Sequence, residues 1–299
     1  MSSFSTPTVQ VFHTVAELKH WRASQSAQNK TIGFVPTMGA LHAGHLTLIS
    51  SAQRATNTVV VSIFVNPAQF APHEDLDQYP RTLAQDIAKL PANTVVFAPS
   101  VAEMYPRGIT TERSKQQGTF IEVLGLSEMQ EGGSRPNFFR GVATVVSKLF
   151  HIVGPTVAFF GQKDVQQCCV IRAMVEDLHF PIDVRVVSTI RDPVDGLALS
   201  SRNVYLTEEQ RRRAPAFYRG LCAARSMYLD AGVSGREELL AVVRAEAERE
   251  GLDVEYISLS SPRDLSELQE IGSDGAILSG AWRMGTTRLI DNILIGFKF

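Results

Sequence analysis

Long apolar runs are missing from this 299-residue sequence. None approaches the roughly 18 residues that a membrane-spanning helix needs. Cysteine is scarce, with only Cys168, Cys169 and Cys222. So small and odd a set cannot build a disulfide framework. The adjacent pair lies in an apolar helical stretch and reads as two small buried hydrophobes, which fits a reducing compartment. An excess of one charge is also lacking: Lys plus Arg number 29 against 31 Asp plus Glu. A nucleic-acid surface would need a basic stripe. The one dense basic run, Arg211 to Arg213, falls in a helical pattern and reads as a solvated face. The first sixteen residues contain no Lys or Arg and no apolar core, so neither a signal peptide nor an Arg-rich transit peptide is expected. Repeats and low-complexity tracts are absent. The expectation is a cytoplasmic protein that binds neither membrane nor nucleic acid.

What is present is a globular composition, 44% hydrophobic, with alternating texture. Thr31 to Val35 reads as a strand, Pro36 to Gly44 as a loop and His45 to Ala55 as a helix. Thr58 to Val65 is a continuous β-branched run, the mark of a strand covered on both faces. The alternation continues: helix at Leu83 to Leu90, strand at Thr94 to Ala98, helix at Gly141 to Val153, strand at Val157 to Phe160, helix at Asp164 to Leu178, strand at Asp183 to Val187. Such an order implies a parallel sheet. After residue 188 the pattern changes. Thr207 with Gln210, and Ser234 with Glu237, read as capping boxes, and short strands follow near Val254 to Leu259, Ala276 to Trp282 and Thr287 to Ile295. The expected fold class is therefore α/β: a doubly wound, parallel, Rossmann-like sheet in residues 1–188, with a second, smaller α+β domain in residues 189–299.

Four clusters carry chemistry. The first is the loop Pro36-Thr37-Met38-Gly39-Ala40-Leu41-His42-Ala43-Gly44-His45 between strand and helix. Ligands of doubly wound sheets bind at this edge. Glycines let backbone approach a ligand, and the helix N-terminus offers unpaired donors. Two histidines spaced as HxGH can donate to a phosphate. The loop has neither GxGxxG nor a Walker Lys-Ser/Thr, so dinucleotide and P-loop readings fail. The second cluster is Asn66-Pro67-Ala68-Gln69-Phe70, where the neutral amide of Gln69 suits a carboxylate that must stay nucleophilic. The third is Gly161-Gln162-Lys163-Asp164 opening a helix, with Lys163 placed as a point charge for phosphate and one of Gln166 and Gln167 turned to the site. The fourth, Asp195 to Asn203, sets Ser200, Ser201 and Arg202 in a Gly-containing loop suited to a polyphosphate. In each, a capped helix or a polar turn is the plainer alternative.

Together these stretches closely resemble the pantothenate synthetase (pantoate–β-alanine ligase) family, HxGH-containing members of the nucleotidylyltransferase-like superfamily. The matching segments are VPTMGALHAGH (Val35 to His45), VSIFVNPAQF (Val61 to Phe70), DLDQYPRT (Asp75 to Thr82), EGGSRPNFFRGV (Glu131 to Val142), FGQKDVQQ (Phe160 to Gln167), DGLALSSRN (Asp195 to Asn203) and the tail Thr287 to Asn292. The resemblance implies ATP-dependent condensation of pantoate with β-alanine through a pantoyl-adenylate, with magnesium on the nucleotide. It implies a homodimer and a C-terminal domain that closes over the site. It implies that Met38, Gly39, Ala40, Leu41, His42, Ala43, Gly44 and His45 cradle ATP, with His45 as general acid and His42 beside the phosphates. Gly161, Gln162, Lys163, Asp164, Leu199, Ser200, Ser201 and Arg202 complete the nucleotide site, and the backbone of Ile190 meets adenine. Lys163 and Arg202 count with the histidines as catalytic. Gln69 and Gln167 hold the organic substrates, with Arg135 and Tyr79 nearby.

Two departures stand out. Arg191 to Asp195 is one residue longer than the family spacing, and an acidic pair associated with magnesium reads Gln85-Asp86 here; no protein metal ligand is assigned. The rival readings are a cofactor adenylyltransferase of the same superfamily, a tRNA synthetase-like core, and a non-catalytic nucleotide-binding protein.

Overall fold

The computed structural model describes residues 9–72 and 74–299. Residues 1–8, part of the stretch read above for targeting signals, lie outside the described residues. The chain forms two compact units. One holds the chain up to Ser127 together with Arg135–Gly161 and Val170–Val187; the other holds Glu128–Ser134, Gln162–Cys169 and Ser188–Phe299.

The first unit contains β1 (Gln10–Phe12), α1 (Val15–Ala27), β2 (Ile32–Thr37), α2 (Ala43–Ala55), β3 (Thr58–Ile63), α3 (Leu83–Lys89), β4 (Thr94–Phe97) and α4 (Val101–Met104). A four-residue helix, α5 (Glu131–Ser134), belongs to the second unit, and the first resumes with α6 (Phe138–Val153), β5 (Val157–Gly161), most of α7 (Val165–Asp177) and β6 (Asp183–Val187). The six strands are all parallel, in the order β1-β4-β3-β2-β5-β6. From β2 the chain winds one way to β3 and β4 and the other way to β5 and β6. The switch of direction lies between β2 and β5, the position at which ligands of doubly wound sheets bind. Strands covered on both faces must be apolar throughout, and Val59, Val60 and Val61 of β3 are all buried. On one face α2 contributes Leu48, Ile49 and Ala52 to a core with Val35, Val61, Val96 and Phe159. On the other, Phe150 of α6 meets Phe34, Phe160 and Phe180 edge to face. Fully burying a ring of this size contributes about 1.5–3 kcal/mol.

The second unit is formed by α8 (Glu208–Arg213), α9 (Ala216–Ala231) and α10 (Arg236–Arg249) with the antiparallel strands β7 (Asp253–Ser260), β8 (Ala276–Met284) and β9 (Thr287–Ile295), in the order β7-β8-β9. Its core stacks Phe217 of α9 on Trp282 of β8, with centroids 4.3 Å apart. A Cβ at Gly280 would lie 2.4 Å from the Phe217 ring, so this strand position must stay bare for the helix to seat. Among the described residues no helix is long and apolar enough to cross a membrane.

Several boundaries differ from the sequence reading. β2 runs on through Pro36 and Thr37, because on the β5 side its ladder covers only Gly33 and Phe34 and leaves room for a residue without an N–H. Helix α2 starts at Ala43 rather than His45, and α6 starts at Phe138, three residues before Gly141. The Thr207–Gln210 capping box is present. The expected box at Ser234–Glu237 is not: Gly235 is the N-cap and makes no side-chain bond. There Arg236 N donates to Gln269 O and Ile271 N to Ser234 O, so strand-like pairing replaces the cap.

Candidate active site

In the first unit, β2 delivers the chain into a turn with two successive left-handed residues, Gly39 (φ 85°) and Ala40 (φ 51°). An L-residue in that region costs roughly 1–2 kcal/mol. The turn is held by Asp86 of α3, whose carboxylate is fully buried. Its Oδ2 accepts from Ala40 N at 2.9 Å and from Thr82 Oγ1 at 3.0 Å; its Oδ1 accepts from Leu41 N at 2.7 Å. Hydrogen bonds to a charged acceptor contribute about 1.5–3 kcal/mol each, which outweighs the strain. One helical turn on, Lys89 Nζ donates to Leu41 O at 2.7 Å.

The histidines follow directly. His42 is the N-cap of α2, and its Nδ1 accepts from Gly44 N at 3.1 Å. His45 stands at the third helical position, and its Nδ1 accepts from His42 N at 3.3 Å. The two rings lie 4.1 Å apart. Their geometry is that of a capping box built from imidazoles. Because each Nδ1 accepts, each neutral ring carries its proton on Nε2, a donor. Gly44 is part of the device: a Cβ there would sit 2.8 Å from the His42 ring. The capping reading and the phosphate reading of HxGH are thus compatible, since one nitrogen of each ring caps and the other donates.

The strand β3 ends in a 3-10 turn, Pro67–Gln69. Asn66 just before it is buried and uses its whole amide. Its Nδ2 donates to Gln69 Oε1 at 3.0 Å and to Gly141 O at 3.2 Å; its Oδ1 accepts from Tyr105 Oη at 2.6 Å and from Ala68 N at 3.3 Å. Burial pushes the Tyr105 hydroxyl far above the ordinary tyrosine range, so it remains a donor. With Oε1 engaged by Asn66, the donor end of the Gln69 amide is its Nε2. The turn rests on α6, where a Cβ at Gly141 would fall 2.3 Å from Ala68 O. Arg135 forks onto Glu74 (2.7 and 2.8 Å), reaches Gln69 O at 3.4 Å and stacks on Phe138. Tyr79 is buried edge-on against Phe70.

The second unit holds the other expected residues. The turn Gln162–Asp164 is bound to β9: Asn292 Nδ2 donates to the carbonyls of Gln162 and Lys163, both at 3.0 Å, and Gln162 Nε2 returns a bond to Asn292 Oδ1 at 3.1 Å. Lys163 keeps a fifth of its side chain exposed, with Asp164 at 3.7 Å. Gln166 is buried, spanning Met129 O and Glu131 N, so Gln167 is the half-buried member of the pair. The loop before Ser200 is a hairpin: Arg191 bridges Ala198, and Leu199 N donates to Ile190 O at 2.9 Å. That places Ile190 directly opposite Leu199 despite the longer 191–195 stretch. Arg191 pairs with buried Asp291 of β9 at 2.6 and 2.8 Å and stacks on Tyr218; Arg211 binds both Asp192 and Asp195. Ser200 caps the turn that carries Ser201 and Arg202. Beneath, Glu131 forks onto Arg288 of β9 (2.6 Å twice), and Tyr256 donates to it at 3.0 Å. Burial weighs against the Arg288 charge, but Glu131 and Glu255 outweigh it and hold the guanidinium above its ordinary range.

Within the first unit, then, the HxGH pair is placed at the carboxyl end of β2, and Gln69 stands beside Asn66 and Arg135 after β3. Within the second, β9 ties both the Gln162–Asp164 turn and the Arg191–Ala198 hairpin. Sequence reading named Asn66 only within the Asn66–Phe70 cluster, with a polar turn as the plainer alternative, and Asp291-Asn292 only within a tail motif. Asn66 does cap the turn, but its other bonds were not visible. The roles of these residues depend on partners up to 130 positions away, and only the co-occurrence of the motifs hinted at them. Asp86, the remnant of the acidic pair, does not fit a cation: its oxygens face amide and hydroxyl donors. Among the described residues no group of three or more His, Cys, Asp or Glu is arranged for a metal.

Comparison with known proteins gives one consistent result. The family model described as pantoate-beta-alanine ligase matches residues 10–294. The pantothenate synthetase of Chloroflexus aggregans is 51% identical over 290 residues, covering 96% of this chain and all of that one. That of Herpetosiphon aurantiacus is 46% identical with the same coverage. The crystal structure of pantothenate synthetase from Thermus thermophilus superposes with a TM-score of 0.86 at 43% identity, covering 95% of this chain and 99% of that one. A pantoate-beta-alanine ligase from Francisella tularensis, solved in complex with beta-gamma ATP and beta-alanine, gives 0.75 at 34% identity, covering 96% and 98%.

Proposed function

The chain belongs to the pantoate–β-alanine ligase family and is an amide-forming ligase, and from this premise we propose how its residues divide the ATP-dependent condensation of pantoate with β-alanine. In the first half, a carboxylate oxygen of pantoate attacks the α-phosphorus of MgATP, and pyrophosphate leaves. In the second, the unprotonated amine of β-alanine attacks the carbonyl of the pantoyl-adenylate; AMP leaves, the amine loses a proton and pantothenate is formed.

The observation that carries this reading is the imidazole capping box. Two Nε2–H donors fixed on a helix N-terminus form a preorganised field for charge that develops on a transferring phosphoryl group. His45 acts as the acid and His42 steadies the phosphates. Lys163, Ser200, Ser201 and Arg202 are assigned to the triphosphate, with Gly161, Gln162, Asp164, Ile190 and Leu199 supplying the rest of the nucleotide contacts. Gln69 and Gln167 orient the organic acid without neutralising its nucleophilic oxygen. The Glu74 partner of Arg135 supports a role in placing the Gln69 turn. Magnesium enters as part of the nucleotide and keeps mostly water ligands. The family also supports a homodimer acting in the cytoplasm; light scattering in solution tests the first.

The test is pyrophosphate exchange into ATP. Exchange that depends on pantoate, with AMP released once β-alanine is added, is the expected result. A product that retains the adenylyl group would overturn the ligase reading in favour of an adenylyltransferase. His45→Ala should slow single-turnover adenylate formation by about 10²–10⁴, and an unchanged rate would remove His45 from its role.

A further inference from the structure

The grip of α3 on the HxGH loop is too specific to be packing alone. Asp86 takes the N–H groups of two consecutive residues, Ala40 and Leu41, and Lys89 on the same helical face takes the carbonyl of Leu41. Two consequences follow from geometry. Those amides point at Asp86, so the tip of the loop does not present them to a phosphate. The histidines and the start of α2 carry that task instead. The direction in which the chain enters α2, and so the seat of His42, is set by a left-handed pair of residues, one of them an alanine. Gly39 lies within the same grip: a Cβ there would meet Asp86 Oδ2 and Ile63 Cγ2, each at 3.2 Å.

We propose that Asp86, with Lys89 beside it, is a positioning residue for the adenylation half-reaction, acting by locking the Gly39–Ala40 turn that aims His42 and His45. This rests on the assignment of the HxGH loop to the nucleotide. It gives Asp86 a task other than metal binding. An Asp86→Asn side chain can accept from Leu41 N through its oxygen, but its NH2 group then faces Ala40 N, donor against donor. The turn relaxes and the imidazoles shift while the surrounding core persists.

The experiment is pantoate-dependent pyrophosphate exchange by the purified full-length enzyme, with the melting temperature of each variant recorded. D86N should lower kcat of exchange by about 10- to 100-fold, the scale of an ångström of misplacement, while the KM for β-alanine, measured separately in the complete reaction, is unchanged. Adding Ala40→Gly should recover several-fold of that loss, since glycine adopts the left-handed turn without help. Lys89→Met, at a side chain 45% exposed, should reproduce the same split more weakly and serves if D86N does not fold. Full exchange activity in D86N or, failing its folding, in K89M overturns the proposal. So does a D86N defect that A40G leaves untouched and extra magnesium repairs, which would make Asp86 a metal ligand. Wild-type enzyme without pantoate-dependent exchange would instead refute the functional assignment beneath it.

Discussion

In the first unit the Gly39–Leu41 and Pro67–Gln69 turns are held mainly through amide groups and close approach, with one forked pair, Arg135–Glu74, beside the second turn; in the second unit a neutral amide, Asn292, holds the Gln162–Asp164 turn, but the Arg191–Ala198 hairpin is held by paired charges. The Gly39–Leu41 turn hangs from one buried carboxylate through its own N–H groups, and the Pro67–Gln69 turn lies against a bare glycine of α6 and one fully used asparagine amide. By contrast, the Arg191–Ala198 hairpin is fixed by Arg191–Asp291 and by Arg211 between two aspartates, and Glu131 is locked on Arg288. The contrast follows from the secondary structure. A parallel sheet hands each loop out at a defined place, so short-range geometry suffices. A long excursion beside a three-stranded antiparallel sheet has no such frame, and bidentate guanidinium–carboxylate pairs supply direction as well as attraction.

The sharpest way to break this contrast is to remove one charge from the second unit. Asp291→Ala leaves Arg191 without its partner in a largely buried setting (Arg191 side chain 15% exposed, Asp291 0%). Denaturant unfolding should register a loss of about 3–5 kcal/mol. Hydrogen exchange should place it in β9 and the 191–198 hairpin, and replacing both residues by apolar ones should recover most of it. A loss below about 1 kcal/mol, the scale of an exposed pair, would mean that charge does not hold this unit. Next in size is a steric probe of the first unit. Gly141→Ala puts a methyl group 2.3 Å from Ala68 O and 2.7 Å from Gln69 Cα. The expected cost is about 1–3 kcal/mol, insensitive to salt, with a raised KM for pantoate and little change in that for ATP. If KM for ATP alone moves, the Pro67–Gln69 turn is not the acid's site. Smallest is a control for charge as such: Arg263–Asp274 is an ion pair of the second unit with side chains 76% and 56% exposed. Asp274→Ala should change stability by less than about 0.5 kcal/mol. A larger effect would show that charge matters there irrespective of burial.

What the sequence disclosed follows the same division. The β-branched run at β3 and the HxGH turn after β2 were legible because burial on two faces and turn chemistry leave local marks. The parallel order followed from alternation. Asp86 read as the survivor of an acidic pair, because its partners lie 45 and 46 positions upstream. For Asn66 only the turn role, which it does fill, was visible, since Tyr105 and Gly141 come from later elements. Ser234 misled because a capping box is a local pattern, whereas the segment at Gln269–Ile271 that displaces it is not. Of Gln166 and Gln167, one was expected to turn to the site; that Gln166 is the buried one depends on Glu131 and Met129, which no local pattern marks.

The smaller unit includes two stretches from the first 188 residues, Glu128–Ser134 and Gln162–Cys169. Its assembly is therefore a matter of timing on the ribosome. Gln130 waits for Ser258 and Ser260, and Glu131 for Arg288, so both stay without these partners until nearly the whole polypeptide has emerged. A gene fragment encoding only Ser188 onward would yield Arg288 without its forked carboxylate and a sheet lacking its Gln130 crosslink. Any split-protein or domain-swap design should carry Glu128–Ser134 along with the C-terminal half.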